Sequence, residues 1–367
     1  MIGPKAIIHL DRLLQNLKHI KEHIGKHELM VVVKANAYGH GAVPVTKALA
    51  GAGVNWFAVF TPEEGVELRN AGITQKILVF SRLNQEYFHL ALDQNFILNC
   101  SCLDDLRELK AFHEKIGKSP EVHIKIDTGM TRLGASPEEY PEIFRELKEY
   151  PEIRCTGIYS HFATADEGDL SYAEYQLDRF KKAVDLAADY GITFKHVHLS
   201  NSGTILNLPE SYFNIVRVGM LIYGALPSDE VPEDVPVKPV MEFVGPVVNV
   251  RRVKKGTKVS YGGVWSAQKN TNIGVIQTGF ADGFPRPWYD GGYVLYRGRR
   301  YEIAGRACMD QLMVDFEDTI PTLGEHVLFF GDNIHGQLKV EEIAKSIGQT
   351  TYTLLTAIHG RTERIFI

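Results

Sequence analysis

The sequence predicts an α/β fold class, an N-terminal (β/α)8 TIM barrel followed by a C-terminal mainly β domain. Three observations carry that expectation. From about residue 30 to 225, eight short runs rich in Val and Ile alternate with longer amphipathic stretches, the pattern of βα units around a parallel sheet buried on both faces. Beyond a proline-rich segment, the apolar runs are punctuated by glycine pairs, as antiparallel strands are. The 367 residues suit two domains, each large enough for its own core.

The expected barrel strands are Met30 to Lys34, Trp56 to Phe60, Lys76 to Phe80, Phe96 to Asn99, Glu121 to Asp127, Arg154 to His161, His196 to Ser200 and Asn214 to Val218. Between the sixth and seventh, the helix shows directly. Ser171 and Glu174 have the spacing of a capping box, Leu177, Phe180, Val184 and Ala188 line one face, and Gly191 ends the turn. Ser228 to Pro239 holds three prolines and several acids without periodicity, so it reads as a linker. The domains then span 1–235 and 236–367. In the second, Val247 to Val253, Asn272 to Thr278, Tyr293 to Tyr301 and His326 to Phe330 are the expected strands. The chain has no internal repeat, Walker loop or GxGxxG turn.

Composition removes several classes of function. Forty basic residues stand against forty-five acidic ones, a net charge of −5, with no Lys/Arg cluster interleaved with aromatics, which argues against nucleic acid as a partner. No apolar run approaches the roughly 18 residues that span a bilayer, so no membrane partner is expected. Cys100, Cys102, Cys155 and Cys308 form no CxxC or zinc spacing, and MIGPKAIIHLDR lacks a long apolar leader. A reduced, cytoplasmic protein without a metal is the expectation. On that reading the sequon Asn99-Cys100-Ser101 is coincidental.

In such barrels the chemistry lies at the carboxyl ends of the strands. Those ends supply Lys34 after Val31-Val32-Val33, Lys125 and Asp127 with Arg132 just beyond, His161, Ser200 and Ser202, and Arg217. A lysine carried behind three valines enters a desolvated place that favours the neutral amine, as Schiff-base chemistry requires. Singly, each residue has a plainer reading: a rim charge, a structural histidine, a surface ion pair. Together, an amine, two guanidiniums, an imidazole, hydroxyls and the turn Arg217-Val218-Gly219 describe a site for an anionic, carbonyl-bearing cofactor.

The segment VKANAYGHG closely resembles the pyridoxal-phosphate lysine motif of alanine racemases. So do HIKIDTGMTRLG, HFATADE, LSNSG, RVGMLIYG, VSYGG, GFADGFPR and AGRACMDQ, in the family's order over almost the whole chain. The resemblance implies an isomerase that interconverts L- and D-alanine and supplies D-alanine for peptidoglycan. It also implies a homodimer with composite active sites. By the same resemblance Lys34 holds pyridoxal 5'-phosphate and serves as one acid/base group. Tyr261 of VSYGG, from the second domain of the partner chain, serves as the other. Racemisation removes a proton from one face of Cα and returns it on the other, so two bases are the natural solution. A tyrosine of ordinary pKa ~10 is ionised about once per thousand at pH 7, so cations beside the phenolate are expected.

Arg217 matches the arginine facing the pyridine nitrogen. A guanidinium there should leave that nitrogen unprotonated and weaken the ring as an electron sink, disfavouring transamination. Tyr38, Ser202, Gly219, Met220 and Tyr352 match phosphate-holding positions, and His161 packs against the cofactor ring. Arg132 and Met309 match substrate-carboxylate positions. Lys125 aligns with a lysine that some members carry carbamylated. Asp166, Arg286, Arg306 and Asp310 match corridor and support positions, while Phe280 departs from the family, where many members have tyrosine. Three alternatives compete. A non-catalytic pyridoxal-phosphate barrel usually lacks a β domain. A decarboxylase of the same architecture needs an acid where Arg217 stands. A racemase for serine or a larger amino acid is separated by pocket size, which the sequence does not show.

Overall fold

The computed structural model describes residues 3–367. The chain begins outside the barrel, with strand β1 (Lys5–Ile8). The barrel strands follow: β2 (Glu28–Val32), β3 (Trp56–Val59), β4 (Lys76–Arg82), β5 (Phe96–Cys100), β6 (Glu121–Lys125), β7 (Cys155–Tyr159), β8 (His196–His198) and β9 (Ile215–Val218). They form one parallel sheet in the order β8-β7-β6-β5-β4-β3-β2-β9, with Met30 of β2 beside both Trp56 and Arg217. Between β8 and β9 there is no ladder. Asn214 closes the gap instead, donating its N–H to the Val197 carbonyl at 3.3 Å and accepting the Val197 N–H on Oδ1 at 2.8 Å.

β3, β5 and β9 are buried along their whole length. Each fully buried Val, Leu, Ile or Phe contributes about 1.5–3 kcal/mol, which is why these strands show no alternation. The lumen also carries polar rings. Trp56 of β3 lies edge-on to His196 of β8 at 4.6 Å and 5.8 Å from His123 of β6, contacts between non-neighbouring strands that only cross the interior. The helix after β7 runs Ser171–Asp189, but no capping box forms. Leu170 is the N-cap, and the Ser171 N–H is taken by Asp169 Oδ1 at 2.9 Å. Its buried face is Ala173, Gln176, Leu177, Phe180, Ala183 and Ala187, with Val184 half-buried and Ala188 exposed.

The remaining strands are β10 (Met241–Val253), β11 (Lys258–Val259), β12 (Trp265–Ser266), β13 (Thr271–Ile276), β14 (Tyr293–Tyr296), β15 (Arg299–Glu302), β16 (Leu312–Asp315), β17 (His326–Asn333), β18 (Gly336–Leu338) and β19 (Glu363–Phe366). The second sheet orders β15-β14-β17-β10-β1-β19, with β13 joining β10 to β16. β1 is thus antiparallel to β10 and parallel to β19, so a boundary at residue 235 leaves Lys5–Ile8 on the β side. The run Tyr293 to Tyr301 is a hairpin turning at Arg297-Gly298, both at positive φ. Two short helices, Val340–Ser346 and Thr351–Thr356, interrupt the β texture. The segment between the domains has no regular structure but is pinned to the first helix. Asn16 accepts the Lys238 N–H at 2.8 Å and donates to the Lys238 carbonyl at 2.9 Å.

Candidate active site

Lys34 lies two residues past β2, not within it. It opens a turn in which Ala35, Asn36, Ala37 and Tyr38 are all left-handed, with φ of 52°, 54°, 53° and 51°. Each such L-residue costs about 1–2 kcal/mol, so the turn must be held from outside. The Asn36 side chain accepts the Ala42 N–H at 2.7 Å, and Arg364 of β19 donates to the Gly39 carbonyl at 2.7 Å. A Cβ on Gly39 would sit 2.2 Å from the Leu355 carbonyl oxygen. Glycine there lets helix Thr351–Thr356 rest on the turn and brings the Tyr352 ring within 5.9 Å of Tyr38.

Arg217, buried at the end of β9, is held on every side. It donates to the carbonyls of Ser160 (2.8 Å), His198 (3.0 Å) and Leu199 (3.1 Å), and to Nδ1 of His198 (3.1 Å) and His161 (3.3 Å). Burial lowers it to about 10, so it stays charged at neutral pH. A guanidinium only donates, so His198 Nδ1 accepts and Nε2 carries the proton. That proton goes to His123 Nδ1 at 2.9 Å. His198 also stacks on Tyr159 at 4.8 Å, and the Tyr159 hydroxyl donates to Asn99 Oδ1 at 2.8 Å.

Around this anchor the mouth is strongly cationic. Lys34 is lowered by burial and then by Arg132, with Glu64 opposing. Lys125 is brought down to about 8 by burial, Arg132 and Arg217. His161 is held well below its usual range by burial and the same cations, which keeps it neutral. Among the described residues, the side chains of Lys34, Lys125 and Arg132 have no hydrogen-bond or ion-pair partner, and Asp127 is occupied by the N–H groups of Gly129 and Thr131. Beside the cations is a cradle. Ser202, first residue of helix Ser202–Asn207, accepts the N–H groups of Gly219 at 3.1 Å and Leu221 at 3.3 Å. A Cβ on Gly219 would lie 2.8 Å from the Tyr38 hydroxyl. Burial raises the Tyr38 and Tyr352 phenols, so both remain donors. Asp166 influences Tyr352 from the rim, its carboxyl raised by burial. Met220, next to Gly219 in the chain, is fully buried. Three cations with no direct ion pair, together with the Ser202, Tyr38 and Tyr352 hydroxyls, fit an anionic, aldehyde-bearing cofactor.

Other expected residues gather elsewhere. Three adjoining loops of the second domain carry Tyr261, Phe280 and Met309, exposed by 68%, 37% and 57%. Ser260 donates to the Arg306 carbonyl at 2.6 Å, and Met309 accepts the Ala281 N–H at 3.0 Å. Arg286 lies 5.5 Å over the Phe280 ring, and Arg361 bridges Asp310 (2.7 Å) and Asp282 (3.0 Å). No hydrogen bond, ion pair or ring contact joins Tyr261 or Met309 to the barrel mouth among the described residues. Sequence reasoning missed His198, Tyr159, Glu64 and Arg361. Only Glu64 carried a local signal, the spacing Thr61-x-x-Glu64 behind Pro62.

Two family models match the chain: "Alanine racemase, N-terminal domain" over residues 8–227 and "Alanine racemase, C-terminal domain" over 240–366. The alanine racemase of Desulforamulus reducens is 37% identical over 368 residues, 99% of this chain and 98% of that protein. Alanine racemase 1 of Bacillus subtilis is 37% identical over 366 residues, 99% and 92% of the two chains. Among solved structures, alanine racemase of Clostridium difficile 630 superposes with a TM-score of 0.93 at 34% identity, covering 100% of this chain and 96% of that one. Alanine racemase from Bacillus anthracis with bound L-Ala-P gives 0.92 at 33%, covering 100% and 95%.

Proposed function

The chain belongs to the alanine racemase family of isomerases, and from that premise we propose that it interconverts L- and D-alanine with two bases, Lys34 and Tyr261 of a second copy. The observation that carries this reading is the set of three cationic side chains, Lys34, Lys125 and Arg132, clustered at the barrel mouth with no direct ion pair of their own. Pyridoxal 5'-phosphate, when bound, supplies an electron sink for the negative charge left on the substrate Cα. Lys34 would hold it covalently. Tyr38, Tyr352, Ser202 and the backbone at Gly219 and Met220 would hold its phosphate, His161 would flank its ring, and Arg217 would face the ring nitrogen. Arg217 donates without giving up a proton, which fits a racemase better than a decarboxylase.

Arg132 and Met309 would orient the alanine carboxylate. Lys34, its proton affinity lowered by burial, takes the proton from one face of Cα or returns it. Tyr261 of the second copy would do the same from the opposite face. Arg286, Arg306, Asp310 and Asp166 support the approach. A homodimer is part of the proposal, supported by the exposure of the large side chains Tyr261, Phe280 and Met309, which a second copy would cover. No helix among the described residues is long and apolar enough to cross a membrane. A cytoplasmic role in supplying D-alanine for peptidoglycan is part of the proposal.

The direct test incubates the purified protein and pyridoxal phosphate with L-alanine and assays D-alanine. Borohydride reduction and peptide mapping should place the label on Lys34; label elsewhere, or no D-alanine, rejects the reading. Gly219→Ala should weaken retention of pyridoxal phosphate at least about tenfold by crowding the Tyr38 hydroxyl, measured by equilibrium dialysis. Phe280→Tyr adds at most one exposed hydrogen bond of about 1 kcal/mol, so turnover should stay within about tenfold. Steady-state kinetics on both variants check these.

Lys125 adds a modification site to the proposal. At about 8 its amine is roughly one-tenth neutral at pH 7. The neutral nitrogen can bond to the carbon of carbon dioxide and release a proton, leaving a carbamate anion beside Arg132. Because the neutral form is the reactant, occupancy should rise from pH 6 to about 8. A carbon-13 carbamate signal from labelled bicarbonate should appear and vanish in Lys125→Ala; a plain ammonium under supplied carbon dioxide counts against it.

A further inference from the structure

Helix Pro62–Asn70 begins at the N-cap Thr61, and its third residue, Glu64, reaches back in a capping box. An ordinary capping box satisfies groups of its own helix. This one does more. Glu64 Oε2 accepts the N–H groups of Phe60 at 2.7 Å and Thr61 at 3.2 Å, while Oε1 accepts the Ala35 N–H at 2.6 Å, from a residue 29 positions earlier. Ala35 is the first left-handed residue after Lys34. One carboxylate therefore joins the end of β3 to the strained turn that projects the amine.

We propose that Glu64 is a positioning residue for Lys34, holding the left-handed turn through the Ala35 N–H and opposing with its charge the cations gathered around the amine. The charged and titratable groups facing Lys34 are Arg132 and Lys125 from the β6 side, His161 after β7, and Glu64 from the helix after β3. Of these only Glu64 favours the protonated amine. All three of its hydrogen bonds are accepted from backbone N–H groups, so the position calls for an acceptor on both oxygens, which a carboxylate provides and an amide does not. The inference rests on the reading that Lys34 is the acting amine.

The test uses the full chain freed of pyridoxal phosphate, so its outcome does not depend on racemase activity. Lys34 is labelled with acetic anhydride across pH and quantified by peptide mapping. Glu64→Gln should move the Lys34 titration to lower pH by about half a unit or more, with roughly threefold faster labelling at pH 7. Glu64→Asp, which keeps the charge at shorter reach, should stay close to the unsubstituted chain. Amide exchange at Ala35 should rise about tenfold or more in Glu64→Gln, with barrel-strand amides unchanged. A Gln titration curve that superimposes on that of the unsubstituted chain would overturn the proposal. So would Asp and Gln curves shifted alike, the pattern of a purely structural cap.

Discussion

Lys34→Ala is expected to lower alanine racemisation by about 10⁴-fold or more, because it removes both the covalent anchor for pyridoxal phosphate and one of the two bases. The fold should survive. The Lys34 side chain is half-buried with no hydrogen-bond partner, so its removal strands no polar group and the unfolding midpoint should stay level or rise. Racemisation followed by polarimetry, with thermal unfolding alongside, checks both halves. Activity within tenfold of the unsubstituted chain would transfer the anchor to another amine, with Lys125 the nearest alternative in the same cluster.

Tyr261→Phe is expected to cost about 10³-fold in racemisation, and its signature is directional. With Lys34 intact, one enantiomer should still exchange its α-proton with deuterated solvent while the other does not. Mixing gives the sharper result. When Lys34→Ala and Tyr261→Phe chains are dissociated and re-paired, the mixed dimer holds one site with both native groups. Equal mixing should then restore about a quarter of the original activity. A site closed within one chain would restore nothing. The exposure of Tyr261, which among the described residues makes no hydrogen bond, ion pair or ring contact with the barrel mouth, is what leads us to expect restoration.

The barrel strands were legible because burial on both faces leaves continuous apolar runs; Phe96–Cys100 and Trp56–Val59 differ from expectation by one residue at one end. The strand carrying Lys34 was misread at its end. Only Asn36 in Ala-Asn-Ala-Tyr has a left-handed preference of its own, and the rest of the turn is held by Glu64, Arg364 and the close approach at Gly39. The Ser171 capping box had the right spacing, yet Asp169 competed for the same N–H. β1 was invisible, since Lys5–Ile8 becomes a strand by pairing with β10 and β19, far away along the chain. Lys34, Lys125, Arg132, His161, Ser202 and Arg217 could be read from the expected strand ends, and Tyr38, Gly219, Met220, Tyr261, Met309 and Tyr352 only from the motifs. A division between the barrel mouth and the second domain was already implied by the resemblance; the loop neighbours of Tyr261, Phe280 and Met309 were not legible.

The pairing of β1 with β19 also bears on biosynthesis. A ribosome releases Lys5–Ile8 early, and once β10 has paired with one of its edges the other edge waits for Glu363–Phe366. An edge of that kind invites pairing with a neighbouring nascent chain. Slowing elongation between β17 and β19 should therefore increase aggregates containing the β domain, whereas a similar pause within the barrel should not.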